Sequence, residues 1–267
     1  MRSYDGKAVD DSARSSIQAE GVPVKIVIDR VRDWFRRDQP DLLRIAWLAR
    51  YEASSAWVDL RGRFSPRQRA LLKQLRSQRG LKLHIASGPS KKEGWVNVDG
   101  AADADVQVDL RRPLPLASDS VAMMFSEHFV DHLQFPDVVG RFLGECYRIL
   151  EPGGRLRIVV HDAELVARAY LKRDEEFFRI AMGGAPPLIE TVNNIFRFNG
   201  FHQFIYDFEA LGMVLRRAGF DAVVRSSFRG SEVPELNLDC DEPDRELQSL
   251  YVEGIKSPGR DARSSQT

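Results

Sequence analysis

Short apolar segments that alternate with helical patterns between residues 83 and 162 constrain the fold of this chain more than any other feature. Segments of this kind, rich in β-branched residues, are typical of a parallel sheet that is covered on both faces. In such sheets, ligands bind beyond the carboxyl ends of the strands. The pattern therefore predicts an α/β fold with a polar site at one edge of the sheet. The polar residues expected at the strand ends are Ser87, Asp99, Asp109, Ser126 and His161.

A set of motifs occurs in order along the same region. They read LHIASGPSKKEGWVNVD, DLRRPLPL, SEHFVDHL and LEPGGRLRIVV. Together they resemble the class I S-adenosylmethionine (SAM)-dependent methyltransferases, in particular a bacterial branch that is often associated with sugar and glycan modification. The resemblance covers about residues 81–256. It implies a Rossmann-like sheet flanked by helices, mostly parallel, with an antiparallel last strand.

The resemblance also implies SAM as the cofactor, bound by the loops that follow the first four strands. The first loop needs small residues so that the backbone can approach the ligand, yet Ala86 stands where the family usually has glycine, and alanine does not readily adopt a positive φ. Asp99 is expected to accept hydrogen bonds from both ribose hydroxyls, and Asp109 from the adenine amino group. The predicted cofactor-binding residues are Ala86, Ser87, Gly88, Asp99, Asp109, Leu110, Ser126 and Glu127. A nicotinamide dinucleotide is disfavoured, because the chain has no G-x-G-x-x-G pattern at this point.

Four of the five histidines fall near the predicted site. Methyl transfer to a hydroxyl requires that a proton be removed, and a base with a pKa near the working pH is best suited to this. Histidine meets that requirement without a large perturbation. The sequence does not decide which histidine acts, and His132 is more typical of packing. The predicted catalytic residues are His128, His161, Asp162 and His202.

The sequence leaves a metal requirement open. His128 and His132 are four positions apart, a spacing that suits a metal ion, but no third ligand is evident, so zinc is not expected. Mg²⁺ is the alternative, because Asp131, Asp162 and Glu127 offer carboxylate oxygens.

Outside the sheet, the sequence predicts flanking segments of several kinds. Residues 1–20 and 258–267 are expected to be disordered tails, and residues 21–80 a helical extension or cap that could provide a homodimer surface. Amphipathic spacing predicts helices over residues 22–38, over residues 41–57 and from Pro66 onward. Residues 81–257 form the predicted methyltransferase domain, with an irregular, lid-like insert at residues 173–206.

Charge and cysteine usage narrow the partners and the compartment. The 39 basic and 39 acidic residues cancel, so no overall field attracts nucleic acid, although residues 62–92 carry nine basic residues and no acidic one. The two cysteines form no disulfide framework. Neither a signal-peptide core nor an apolar run of about 20 residues is present. We expect a cytoplasmic protein without a membrane span.

The function predicted from these features is methyl transfer from SAM to a hydroxyl of a sugar, or of an oligosaccharide or polysaccharide precursor, with a histidine as general base. Two alternatives stay open. One is methylation of another small metabolite or of RNA, favoured by the basic residues of segment 62–92. The other is a catalytically silent, SAM-binding partner subunit, favoured by the alanine at position 86.

Overall fold

The computed structural model describes residues 40–183 and 187–258. The contacts between residues divide the chain into two units, with the boundary between Ala53 and Ser54. The predicted tail at residues 1–20, the helix predicted at residues 22–38 and all but the first residue of the predicted tail at 258–267 lie outside the described residues. Within the described ranges, we find no helix that combines the length and the apolar character needed to cross a membrane.

The described residues form a seven-stranded sheet with the order β3-β2-β1-β4-β5-β7-β6. Strands β1 to β5 run parallel, whereas β7 is antiparallel to both β5 and β6. This arrangement confirms the predicted mostly parallel sheet with antiparallel final strands. The strands are β1 (Leu81–Ile85), β2 (Val96–Asp99), β3 (Val106–Gln107), β4 (Val121–Glu127), β5 (Leu150–His161), β6 (Ala222–Arg225) and β7 (Ser249–Ile255).

The order of the strands reverses between β1 and β4. From β1 the chain builds outward through β2 and β3, and it then returns to the other side of β1 to add β4 and β5. At such a point neighbouring loops leave the sheet in opposite directions and open a crevice at the carboxyl ends of the strands. Ser87 and Ser126, at the carboxyl ends of β1 and β4, lie at this crevice.

The α-helices of the described residues are α1 (Pro40–Phe64), α2 (Pro66–Arg76), α3 (Asp137–Ile149), α4 (Ala163–Lys172), α5 (Glu175–Met182), α6 (Leu188–Arg197), α7 (Phe208–Arg217) and α8 (Pro243–Gln248). Three of them, α2, α3 and α7, cover one face of the sheet. Leu75 of α2, Phe142 of α3 and Leu215 of α7 share one buried cluster with the sheet. Since α2 contributes to this core, the sheet unit begins before residue 81, earlier than the sequence predicts.

The start of α2 follows the predicted pattern. The Ser65 hydroxyl accepts a hydrogen bond from the Gln68 N–H, and Pro66 occupies the first turn. Both features stabilise a helix N-terminus, because the serine satisfies a backbone donor that the helix leaves free and proline has no N–H to satisfy.

The opposite face over β4, β5 and β7 is covered by an irregular segment, residues 226–241, which we call the cover segment. Leu236 from this segment packs against Phe125 and Tyr251 of the sheet. The fully buried Arg157 of β5 anchors it by donating to both carboxylate oxygens of Asp239, at 2.9 and 2.6 Å. The same guanidinium donates to Glu253 of β7, so one side chain ties the cover segment to two strands.

The prediction of an irregular insert at residues 173–206 is wrong. Helices α5 and α6 occupy most of it, and they pack with α4 around a small core of their own that includes Phe177, Phe178 and Ile195. The two helices are short, with 8 and 10 residues, and the run Gly-Gly-Ala-Pro-Pro at residues 183–187 separates them. Glycine and proline therefore dominated the local pattern and hid the helical period.

Candidate active site

The loop after β1 folds back onto the end of β2. Ala86 and Gly88 have φ values of 55° and 49°. Ala86 thus adopts a positive φ that alanine does not readily take, and its methyl group makes this conformation energetically unfavourable. The Gly88 N–H donates to Asp99 Oδ2 at 3.0 Å, and the Ala101 N–H donates to Asp99 Oδ1 at 2.8 Å. Asp99 thereby joins the two loops predicted to hold the cofactor.

Two serine hydroxyls at the crevice are candidates for ligand contact. Ser87 Oγ and Ser126 Oγ are buried, and within residues 40–183 and 187–258 they have no hydrogen-bond partner. A buried polar atom without a partner is unfavourable and often marks the place of a ligand or an ordered water. Each carboxylate oxygen of Asp99 also keeps a lone pair for a further donor. This end of the sheet therefore fits the polar groups of a nucleoside cofactor.

Other predicted cofactor residues are engaged within the protein. Arg111 donates to both oxygens of Asp109, at 2.9 and 2.8 Å. Burial acts to raise the pKa of Asp109, but the hydrogen bonds from Arg111 outweigh burial and hold this pKa below its ordinary value. Leu110 is buried in the main core, which leaves its backbone as the part that could face a ligand. Their roles in cofactor binding stay predictions.

Glu127, also predicted to bind the cofactor, contacts the cover segment. Its Oε1 accepts a hydrogen bond from the Cys240 N–H at 3.1 Å, and burial raises the pKa of its carboxyl. Nearby, Lys92 Nζ donates to the Leu238 carbonyl at 3.0 Å. The end of the cover segment thus borders the crevice at the ends of β1 and β4, and Glu127 holds it there.

Four histidines surround one buried carboxylate, that of Asp131. His161 Nδ1 lies 2.6 Å from Asp131 Oδ2, and His128 Nδ1 lies 3.2 Å from His161 Nδ1. His132 Nε2 lies 3.7 Å from Asp131 Oδ1, and His202 Nε2 lies 3.9 Å from Asp131 Oδ2. We call these five residues the histidine cluster. Of the predicted catalytic residues, the structure brings His128, His161 and His202 together here.

Two neighbouring strands, β4 and β5, bring residues of the cluster close together. Because β4 and β5 are parallel neighbours, the residues that follow β4 and end β5 meet at one edge of the sheet. A short 3₁₀ helix at Val130–His132 then turns Asp131 toward His161. His202 comes from the end of the insert, where the Gln203 N–H donates to the Asp131 carbonyl at 2.8 Å.

Burial controls the protonation of the cluster. It lowers the pKa values of His128, His132 and His202 below the ordinary value, so these imidazoles are neutral near pH 7. Burial alone would raise the pKa of Asp131, but the hydrogen bond from His161 and the neighbouring imidazoles lower it. The cluster therefore combines the ionised carboxylate of Asp131 with the neutral imidazoles of His128, His132 and His202.

The ligand atoms of the cluster fall into two groups of three that could hold a metal ion. One group is His128, Asp131 and His161, and the other is Asp131, His132 and His202. Among the described residues, neither group includes Asp162 or Glu127, which were the further carboxylates considered for Mg²⁺.

A cavity of about 660 Å³ opens beside the cluster. Ser249 contacts both the cavity and the histidine cluster: it lines the cavity, and its Oγ lies 3.0 Å from His128 Nε2. The rings of Phe228 and Tyr251 form an aromatic wall, with 6.3 Å between their centroids. Charged side chains complete the lining: Asp162, Glu164, Arg168, Arg225 and Glu246.

Asp162, the remaining predicted catalytic residue, stands at the rim of this cavity and caps helix α4. Its Oδ1 accepts hydrogen bonds from the Glu164 and Leu165 N–H groups, at 2.8 and 3.3 Å. Its Oδ2 lies 3.4 Å from Arg225. The carboxylate is therefore held in place at the cavity rather than within the histidine cluster, and its catalytic role stays a prediction.

Sequence reasoning undervalued three residues of the site. Asp131 is the centre of the cluster but was considered only as a ligand for Mg²⁺, and His132 was assigned to packing. The spacing H-x-x-D-H from His128 to His132 was the signal that could have identified both. Ser249 carried no signal, because it begins strand β7, far from the histidines in sequence.

Part of the chain matches a model of a known protein family. Residues 64–158, which include β1 to β4 and most of β5, match the family model described as a methyltransferase domain. None of the curated proteins matches the chain in sequence.

Several solved structures are similar to this chain, each at a TM-score of 0.40. A SAM-dependent methyltransferase from Thermotoga maritima is 20% identical in sequence. The alignment covers 87% of this chain and 98% of that protein. Those from Mesorhizobium loti and Archaeoglobus fulgidus are each 16% identical. The alignment with the Mesorhizobium loti protein covers 72% of this chain and 98% of that protein. The alignment with the Archaeoglobus fulgidus protein covers 75% of this chain and 99% of that protein.

Proposed function

We propose that this chain, of which residues 64–158 match a methyltransferase-domain family model, transfers the methyl group of SAM to a hydroxyl oxygen of a polar, sugar-like acceptor. The observation that carries the proposal is the position of the histidine cluster. His128 of the cluster directly follows β4, which carries Ser126 at the crevice, and its Nε2 lies 3.0 Å from Oγ of Ser249, which lines the charged cavity. The cluster is therefore our candidate for the proton acceptor that serves a methyl donor in the crevice and a hydroxyl acceptor in the cavity.

For the cofactor, the protein has mainly to bind SAM and hold it in position. SAM supplies a methyl group that is activated by its sulfonium charge. The carboxylate of Asp99 is the candidate for the ribose hydroxyls, since the backbone N–H groups of Gly88 and Ala101 orient it. Ser87 Oγ and Ser126 Oγ are candidates for the remaining polar contacts.

His161 is the candidate for general base. Because a carboxylate oxygen accepts, the 2.6 Å contact with Asp131 Oδ2 means that His161 Nδ1 carries the proton, which leaves Nε2 with a lone pair. An aspartate that holds a histidine in one tautomer is a recurrent arrangement for proton transfer. In the transfer, the bond between sulfur and the methyl carbon breaks as the bond between oxygen and that carbon forms. The hydroxyl proton passes to His161, and the products are S-adenosylhomocysteine and the methyl ether.

The cavity beside the cluster supports a sugar-like acceptor. The aromatic wall of Phe228 and Tyr251 offers ring faces to the C–H groups of a sugar. Asp162 and Arg225 offer hydrogen bonds to its hydroxyls. A cavity of about 660 Å³ is in the usual range for small-molecule sites.

A panel of acceptors tests this proposal. The purified chain is incubated with methyl-labelled SAM and, separately, with glycosides, phenols and amines, and label transfer is measured. We expect transfer to at least one glycoside hydroxyl. Ready transfer to a phenol or an amine without transfer to any glycoside would contradict the assignment of the acceptor.

A second candidate, methylation of RNA, is supported by a separate observation. A second cavity, of about 760 Å³, is lined by Arg69, Lys73, Arg76 and Arg112. If RNA binds there, its affinity should fall steeply with salt, because each neutralised phosphate releases counterions. Binding to RNA that is independent of salt would exclude this candidate.

A further inference from the structure

The histidine cluster contains a buried carboxylate oxygen that the protein does not satisfy. Asp131 is fully buried, and within the described part of the chain its Oδ1 has no hydrogen-bond partner. The atom faces His132 Nε2 at 3.7 Å, which is too long for a hydrogen bond. An ionised oxygen that is removed from water without a partner is costly. A cation bound against Oδ1 would remove this cost.

His202 presents a lone pair to the same carboxylate. Its Nδ1 lies 2.5 Å from the Ile195 carbonyl oxygen, and because a carbonyl only accepts, Nδ1 carries the proton. With Nδ1 protonated in the neutral ring, Nε2 cannot donate to Asp131 Oδ2, which lies 3.9 Å away. A nitrogen lone pair and a carboxylate oxygen that face each other are unfavourable unless a cation or a proton donor lies between them, and a cation would satisfy both.

Backbone contacts hold both of these rings in place. The imidazole of His202 is fixed by Ile195, and the ring of His132 hydrogen-bonds to the backbone of Phe201. The two rings also pack edge to face, with 5.0 Å between their centroids. Histidines that bind metal ions characteristically give their other nitrogen to a carbonyl or a carboxylate, which fixes the tautomer and the ring orientation.

We propose that Asp131, His132 and His202 bind a divalent first-row transition-metal ion of the Zn²⁺ type. Two imidazoles and one carboxylate form a ligand set that such ions prefer, and three protein ligands leave a coordination position open. Mg²⁺ prefers oxygen ligands throughout, so this set does not favour it.

The spacing of the ligand atoms agrees with this assignment. All three lie within 4.8 Å of one another. At a metal–ligand distance of about 2.0–2.2 Å, neighbouring ligands of a tetrahedral site lie roughly 3.3–3.6 Å apart. Small side-chain movements would therefore close the site around an ion. His161 remains bonded to Asp131 Oδ2 and orients the carboxylate from the other side.

An ion in this position would assist methyl transfer. A hydroxyl oxygen bound at the open coordination position loses its proton more readily, because the positive charge stabilises the alkoxide. The proton then passes to His161. This use of the ion rests on the proposed function, whereas binding of the ion does not.

Metal binding can be measured without SAM or an acceptor. The untagged chain is treated with a chelator, dialysed and titrated with Co²⁺, a spectroscopic substitute for Zn²⁺, and then with competing Zn²⁺. We expect one equivalent of Co²⁺ to bind, with visible absorption bands that Zn²⁺ abolishes. Absence of specific binding to the wild-type chain would overturn the proposal, whatever the outcome of the methyl-transfer panel.

Matched variants test the ligand set. His132→Ala and His202→Ala should each weaken Co²⁺ binding at least ~100-fold. Loss of a residue that only hydrogen-bonds to a metal ligand usually has a smaller effect. His128→Asn removes a histidine of the same cluster outside the proposed set, and asparagine tolerates the positive φ of 47° at this position. This control should bind within about threefold of wild type, with circular dichroism to confirm folding. Equal loss of binding in His128→Asn would overturn the assignment to Asp131, His132 and His202.

Discussion

At the scale of single residues, the conformation of Ala86 is informative. It is a non-glycine residue at a positive φ of 55°, in the loop predicted to approach the cofactor. An alanine in this region carries a penalty of about 1–2 kcal/mol relative to glycine, partly offset by the greater freedom of glycine in the unfolded chain. The loop is therefore held in a strained conformation by its surroundings, in particular by the contact between Gly88 and Asp99.

Replacing this alanine should stabilise the chain. We expect Ala86→Gly to raise the free energy of unfolding by about 0.5–1 kcal/mol, as measured by urea denaturation. The control is Ala210→Gly in helix α7, which should lower the same quantity by about 1 kcal/mol. A decrease in both variants would show that Ala86 is not strained.

The role of His161 can be separated from cofactor binding. Substitution His161→Asn removes the proposed base but keeps a group that can donate to Asp131. We expect kcat for the acceptor found in the panel to fall at least ~100-fold, the usual contribution of a general base, with SAM affinity unchanged within about twofold. His84→Asn, which alters a histidine hydrogen-bonded to Asn97 inside β1, is the control. Full activity of His161→Asn would remove this residue from the mechanism.

At the scale of elements, the cover segment depends on one buried side chain. Arg157 bonds to Asp239 and Glu253, and all three side chains are almost completely buried. Removing one partner from a buried ionic network leaves uncompensated charge and costs about 3–5 kcal/mol. The cover segment and the strands beneath it should therefore be stabilised together.

A pair of arginine variants tests this dependence. Arg157→Met should lower the free energy of unfolding by about 3–5 kcal/mol in urea denaturation. Arg179→Met removes an exposed arginine whose partner Glu176 is also exposed, and it should have a smaller effect. Similar losses in both variants would contradict the special role of the buried network.

The helices and strands differ in how well their bounds could be predicted from the sequence. The apolar patterns of residues 136–150 and 247–256 predict a helix and a strand, and helix α3 and strand β7 lie within about two residues of these bounds. The proline and glycines of Glu151–Gly154 predict a turn, whereas this motif lies within β5 at a shift of register, with Gly153 at a φ of 87°. Helices α5 and α6 were missed because their stability comes from contacts with α4, which local pattern does not reveal.

At the scale of the whole molecule, the fold was predictable and the site was only partly so. Parallel strand topology explains why polar residues at positions 87, 126 and 161 meet at one edge of the sheet. It could not show that His132 and His202 also reach Asp131, since His202 arrives through an insert that was not recognised as helical. The cavity beside Ser249 depends on β6, β7 and the cover segment, whose relative positions follow from tertiary packing.

Calorimetric titration with SAM tests most directly whether the ends of β1 and β2 form the cofactor site on which the proposed reaction depends. We predict micromolar binding to the wild-type chain and a loss of at least ~30-fold in Asp99→Ala, since two charge-assisted hydrogen bonds would be removed. Asp103→Ala, an exposed aspartate in the following turn, should bind as wild type does. Equal binding of SAM by Asp99→Ala and wild type would contradict this placement of the cofactor.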